Sequence, residues 1–389
     1  MTTSQAHLNR RHLIGGLSGL ALAPWSATGF ATGKEIVVGQ VASLSGSNGA
    51  DLGQGLKAGV EACFLAVNTA GGIRGQTVKL VSKDDRYLPE ETVNLTRELI
   101  VQERPAALIA YRGTANTMAL IKSELLVKHG VTLVGTLTGA KEVQGAAGLL
   151  NLRTSYEREL AELVGQIQRM ILDTVAVLYA DDAFGRTGLE AIEQAAVANG
   201  SKLLAKVPYD KAPDKVDASL NAAAKQLAAA GAKAVILVAV GDPVYAFIKA
   251  FRPLNQASRI FCMSVVDPAA VVKRCGVNVA AGIGFSQVYP FPYSDKTNLV
   301  REYRRALARL PNAPEPNYFS LEGYVYARVL VEALKRAPDS PAEVQVSNAL
   351  MNLPAIDFGG LRMQIDPQTR NGMRYTDLTV LTRQGRLVG

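Results

Sequence analysis

Val175-Ala176-Val177-Leu178-Tyr179, followed by Asp181-Asp182-Ala183-Phe184-Gly185, is the stretch whose reading decides the fold. An unbroken apolar run ends at two aspartates, and an amphipathic helix is expected to follow. Continuous apolarity suits a strand buried on both faces, as in a parallel sheet. Asp at the strand end suits a turn or a helix start. The same unit recurs from Glu35 onward, with runs at 36–41, 78–81, 107–110, 131–134, 203–207, 234–240, 260–263 and 283–288. Between the runs, apolar residues fall at three- and four-residue spacing: Leu95, Leu99 and Ile100 in one stripe, Leu160, Leu163, Val164 and Ile167 in another. Strict alternation of strand and helix predicts an α/β fold with mostly parallel sheets and helices on both faces. Two sheets fit the chain better than one. The first series runs to about residue 154, and the second runs from Tyr156 to about 285. Helices are then expected at 298–310 and 321–336, and β-hairpins over 361–388, with Gly372 and Gly385 in the turns.

A chain of 389 residues, 48% hydrophobic and 20% charged, has material for two cores. No apolar run approaches the roughly 20 residues that span a bilayer. The net charge of +8 comes from scattered residues with 6% aromatics, which argues against a nucleic-acid stripe. It fits a solvated surface or a mild attraction for anions. Three cysteines, Cys63, Cys262 and Cys275, leave at least one thiol free. Cys63 lies on the apolar stripe of a helix and reads as a small hydrophobe.

Residues 1–31 read as an export signal. Arg10-Arg11-His12-Leu13-Ile14 resembles a twin-arginine signature, a short Gly- and Ala-rich apolar segment follows, and Gly29-Phe30-Ala31 offers a cleavage site after Ala31. A general secretory signal is the competing reading. Export predicts a periplasmic protein.

Catalysis lacks its parts. Of three histidines, His7 and His12 fall in the signal, and His129 precedes Gly130 at a helix end. There is no zinc-like Cys/His cluster, P-loop or Gly-x-Ser-x-Gly elbow. Asp84-Asp85 and Asp181-Asp182 sit at strand ends, where Asp commonly fixes the backbone. The expectation is therefore a non-enzyme with no catalytic residue, no metal and no cofactor.

An ordered set of motifs adds a family. Val38-Gly39-Gln40 with Leu44-Ser45-Gly46, Gly71-Gly72-Ile73-Arg74-Gly75, Lys83-Asp84-Asp85 with Pro89, Asp181–Gly185, Ser286-Gln287-Val288-Tyr289-Pro290 and Ser320-Leu321-Glu322-Gly323-Tyr324 follow one another along nearly the whole chain. In this order they resemble the branched-chain amino acid–type solute-binding proteins of ABC importers. The resemblance implies a type I periplasmic binding fold, with two αβα lobes joined by three hinge crossings and a ligand held between them. The crossings are expected near Thr154, Ser286 and Pro354. Lobe one is then 32–154 plus 287–354, and lobe two is 155–286 plus 355–389.

Ligands of open α/β sheets sit at the carboxyl ends of strands. Two such loops are rich in hydroxyls and glycine: 111–117, with Arg112, Gly113 and Thr114, and 135–139, with Thr136 and Thr138. The resemblance implies that these loops clasp a carboxylate and an amine, with Thr114 and Thr138 in those places. Thr114 can equally cap its helix. Arg112 can pair with an anionic ligand or with a protein carboxylate. Ser45 and Leu52 come from the first loop; the family often carries an aromatic near Leu52. Phe184 is an aromatic lid or core packing. Amino acid–binding members place a carboxylate after the strand at 260–263, where this chain has Ser264-Val265-Val266 and its first acid is Asp267. Asp242 is the other candidate counter-charge, or a helix cap. An unpaired ammonium in a dry cleft is costly, so the expected ligand is an organic carboxylate, aromatic or short-chain, with an amino acid–like solute as the alternative. The implied partner of such a protein is an ABC permease, or a receptor to which the solute is reported. The protein is expected to be a monomer that binds no nucleic acid.

Overall fold

The computed structural model describes residues 35–46, 49–338 and 342–389; the expected export signal lies outside the described residues. The apolar runs become strands. β1 (Ile36–Ala42), β2 (Val78–Asp84), β3 (Ala107–Arg112), β4 (Leu133–Leu137) and β5 (Leu149–Leu150) form one sheet, in the order β2-β1-β3-β4-β5 and parallel throughout. β6 (Thr174–Ala180), β7 (Lys202–Tyr209), β8 (Ala234–Val238), β9 (Arg259–Cys262) and β10 (Gly284–Gln287) form the parallel part of a second sheet. The hairpin β11 (Ile356–Asp357) and β12 (Arg362–Met363) stands apart. β13 (Asp377–Leu381) and β14 (Leu387–Val388) close the second sheet antiparallel, giving the order β14-β13-β10-β9-β8-β6-β7. Two lobes with mostly parallel sheets are thus the architecture, as expected.

Central strands β3, β4 and β8 are buried at every residue, the pattern their unbroken apolarity predicts. β7 lies at a sheet edge and instead alternates exposed and covered residues up to Val207. The helix stripe Leu160, Leu163, Val164 and Ile167 is fully buried on helix Tyr156–Arg169. Cys63 is buried in the core, and burial pushes its thiol up to about 12. The three thiols are unpaired. Among the described residues no helix is long and apolar enough to cross a membrane.

Two helices that brace the first sheet cross at glycines. A Cβ on Gly59 of helix Ala50–Thr69 would lie 1.9 Å from the Ser320 carbonyl oxygen, and one on Gly323 of helix Tyr318–Arg336 would lie 2.1 Å from that of Leu56. No side chain fits at that crossing.

The late segment departs from the hairpin reading of 361–388. The β11–β12 turn is Gly359-Gly360, and Gly372 makes no hairpin turn: its amide donates to the Asn151 carbonyl at 2.9 Å, and a Cβ on it would meet Leu152 and Met363 at 2.9 and 3.0 Å. Gly385 does turn the β13–β14 hairpin. Residues 356–372 bond to Thr297–Leu299 neighbours and to 145–151: Leu299 N donates to Gly359 O at 3.2 Å and Gly145 N to Thr369 O at 2.6 Å.

Candidate ligand-binding cleft

Strand order reverses between β1 and β3 in one sheet and between β6 and β8 in the other. At such switch points neighbouring loops part and leave a crevice at the carboxyl ends of the strands. Both crevices contribute to one pocket. The first sheet supplies Tyr87, Arg112, Gly113, Thr114 and Leu137; the second side supplies Tyr156, Phe184, Val240 and Val265. The space they enclose is narrow, about 10 Å³. At the rim, Lys141 Nζ lies 2.5 Å from Glu190 Oε1, and Thr187 Oγ1 donates to Glu142 at 3.3 Å. These ties join the segment after β4 to helix Ala183–Asn199 of the other lobe, so the lobes are drawn together.

Arg112 ends β3 and is 2% exposed. Nη1 donates to Ser43 Oγ at 2.7 Å, and the guanidinium carbon stands 4.3 Å from the centre of the Tyr87 ring. Among the described residues it forms no ion pair, and its Nε is buried without a hydrogen-bond partner. Burial pulls its pKa below the ordinary arginine value, against the pull of Tyr87, Asp85 and Asp51, yet a guanidinium stays protonated. Gly113 follows with φ of 92°, and a Cβ there would meet the Tyr87 ring at 2.6 Å. Glycine therefore lets the ring close over the arginine. Thr114 opens helix Thr114–Lys122 without a side-chain cap bond; its Oγ1 instead meets Thr138 Oγ1 at 2.8 Å.

Gly49 links this pocket to a wider recess of 660 Å³: Arg112 Nη2 and Val240 lie 3.0 and 3.3 Å from where its Cβ would be. The recess is lined by Asp51, Asp242 and Asp267 with Tyr245, Lys273 and Arg274. Asp242 does not cap its helix by its side chain and pairs with Arg274. Asp267 caps helix Pro268–Cys275 through Ala269 N at 3.0 Å. Burial, then the Asp51 charge, raises its carboxyl to about 6. The folded protein thus holds this proton more tightly than the unfolded chain, whose Asp titrates near 3.9. The contribution of Asp267 to stability therefore falls as pH rises from about 4 to about 6. Asp267→Asn keeps the cap and is expected to flatten that slope. It should gain on the order of 2 kcal/mol over the parent at neutral pH relative to acid pH, read from urea melts at both.

Residues 35–386 match the family model described as periplasmic binding protein. The chain belongs to the periplasmic binding protein family. It is similar to a substrate-binding periplasmic protein of Ralstonia solanacearum, with 30% identity and a TM-score of 0.85 over 91% of this chain and 99% of that one. A Leu/Ile/Val-binding protein homologue of Brucella melitensis is 30% identical over 56% of this chain and 58% of its own length. A chemotactic signal transduction system substrate-binding protein of Halobacterium salinarum is 29% identical over 47% of this chain and 45% of its own. The chain spans about half the length of the curated relatives it matches.

In this periplasmic binding protein, six expected site residues meet in or beside the pocket: Arg112, Gly113, Thr114, Phe184 and Val265 line it, and Thr138 stands behind Thr114. Four others are turned elsewhere. Ser45 Oγ donates to Asp84 at 2.5 Å in an exposed turn. Leu52 is 2% exposed in the core. Thr136 is buried with Oγ1 unbonded, while its carbonyl accepts from Tyr326. Ser264 is buried among Glu159 and Arg153 rather than facing the pocket. The aspartate pairs fix backbone: Asp84 accepts from Leu44 N and Arg86 N, each at 2.9 Å, Asp85 from Tyr87 N at 2.9 Å, and Asp182 caps through Gly185 N at 2.9 Å. The sequence reading passed over Tyr87 and Tyr156. Each closely follows a strand-end or crossover motif, Tyr87 after Asp84-Asp85 with one residue between and Tyr156 directly after Thr154-Ser155, and an aromatic within two residues of such a motif is the signal that finds it.

Proposed function

We propose that this protein captures a small organic carboxylate with an aromatic or apolar body in the interlobe cleft and hands it to an ABC permease. The observation that carries the reading is Arg112: a buried guanidinium on the pocket wall, with one N–H unpaired and no ion-pair partner among the described residues. Such a group favours an anion that completes it. Thr114 and Thr138 add hydroxyls on the same side. Tyr87, Tyr156 and Phe184 offer aromatic faces, the last two edge to face at 5.6 Å. No carboxylate is among the pocket-lining residues, so an α-ammonium gains no counter-charge there. Of the acids of the neighbouring recess, Asp267 caps its helix and Asp242 pairs with Arg274, while burial raises the Asp51 carboxyl and so disfavours its charged form.

Export through residues 1–31, a periplasmic monomer, no enzymatic activity and a third crossing between Met373 and Asp377, later than Pro354, complete the proposal. The similarity to a chemotactic substrate-binding protein supports the second reading, in which the same cleft reports the solute to a receptor. In either role, closure is driven by tighter binding to the closed state. A thermal-shift screen of aromatic and short-chain carboxylates against amino acids tests the ligand class: carboxylates lacking an amine are expected to raise the melting temperature. A rise with leucine alone would refute it.

A further inference from the structure

Arg153 lies between β5 and helix Tyr156–Arg169, in the segment that joins the two sheets, and its side chain is fully buried. Nη1 donates to Glu322 Oε2 at 2.5 Å, on the helix Tyr318–Arg336 that braces the first sheet. Nη2 donates to Ser264 Oγ, in the loop after β9 of the second sheet. The Ser264 amide and hydroxyl both donate to Glu159 Oε1 at 2.8 Å, and Ser286 Oγ, on β10, donates to the same oxygen at 2.6 Å. The Tyr326 hydroxyl donates to Glu322 Oε1. Burial alone would lower Arg153, but Glu322 and Glu159 outweigh it and hold the guanidinium above its ordinary range. Burial pushes the Glu322 carboxyl up. Both its oxygens are nonetheless filled by Arg153 and Tyr326, so the ion pair is the state the geometry favours.

A buried ion pair adds little net stability over an apolar filling, and this one leaves Arg153 Nε and Glu159 Oε2 without partners. What it does fix is geometry. Val265, next to Ser264, and Tyr156, one helical turn before Glu159, both line the pocket. We propose that Arg153, Glu159, Ser264 and Glu322 form an interlobe clamp: it is complete when the lobes are drawn together, and it positions Tyr156 and Val265 against the ligand. They are positioning residues. The affinity arm of the test rests on the carboxylate reading above; the clamp itself does not.

The test uses Ser264→Ala, which cuts the second-lobe arm, and Glu322→Gln, which weakens the first-lobe arm. Small-angle scattering of the protein without added solute reads the lobe arrangement, and calorimetry with benzoate reads affinity. Both variants are expected to be folded, to show a larger radius of gyration than the parent, and to bind benzoate on the order of tenfold more weakly. Cooperative melting with unchanged scattering in both variants would overturn the clamp, even if benzoate binds. Expanded scattering in both variants, with no benzoate binding by the parent, would uphold the clamp and overturn the carboxylate reading instead.

Discussion

Arg112→Met is expected to weaken benzoate binding by about a hundredfold or more, roughly 3 kcal/mol, as measured by calorimetry. The carboxylate would lose its buried counter-charge while the aromatic walls remained. Without solute, the same variant is expected to melt no lower than the parent. It removes a desolvated cation that has an unpaired Nε and no ion pair among the described residues. Loss of binding together with equal or greater stability is the mark of a residue held for its ligand rather than for the fold. Arg112→Lys is not expected to restore affinity, because an ammonium cannot both bond Ser43 and lie flat on the Tyr87 ring.

Gly59→Val is expected to destabilise the protein by more than about 3 kcal/mol in urea unfolding. The new side chain would begin 1.9 Å from the Ser320 carbonyl oxygen, a backbone atom that cannot swing aside. The helices Ala50–Thr69 and Tyr318–Arg336 would have to separate. Tyr326, on the second of them, bonds the Thr136 carbonyl at 3.1 Å and touches Glu322. A change at Gly59 is therefore expected to reach the hinge as well as the core.

These two sites show what a sequence can and cannot say here. Arg112 was legible because a charged residue directly after an apolar run must sit at a strand end, and strand ends of parallel sheets face the crevice. Its partners were not. Whether it met a protein carboxylate depended on side chains brought in from the rest of the fold, and the fold places Tyr87 and Ser43 there instead. Thr114 was expected either to cap or to contact ligand; it bonds Thr138, a pairing set by two adjacent strands. Ser264 was placed at the right strand end, yet its hydroxyl is taken by Glu159, 105 residues earlier. The strands of both sheets followed from apolar continuity, whereas the two-residue β5, β11, β12 and β14 carry too few residues to set up a period. The Gly59–Gly323 crossing reads in sequence as two unremarkable helical glycines, because close approach is a property of the pair.

The carboxylate reading is tested most directly by titrating the purified protein at neutral pH with benzoate and, separately, with L-leucine in a calorimeter. The prediction is saturable binding of benzoate and none of leucine. Micromolar leucine binding with no heat from benzoate or other organic acids would contradict it.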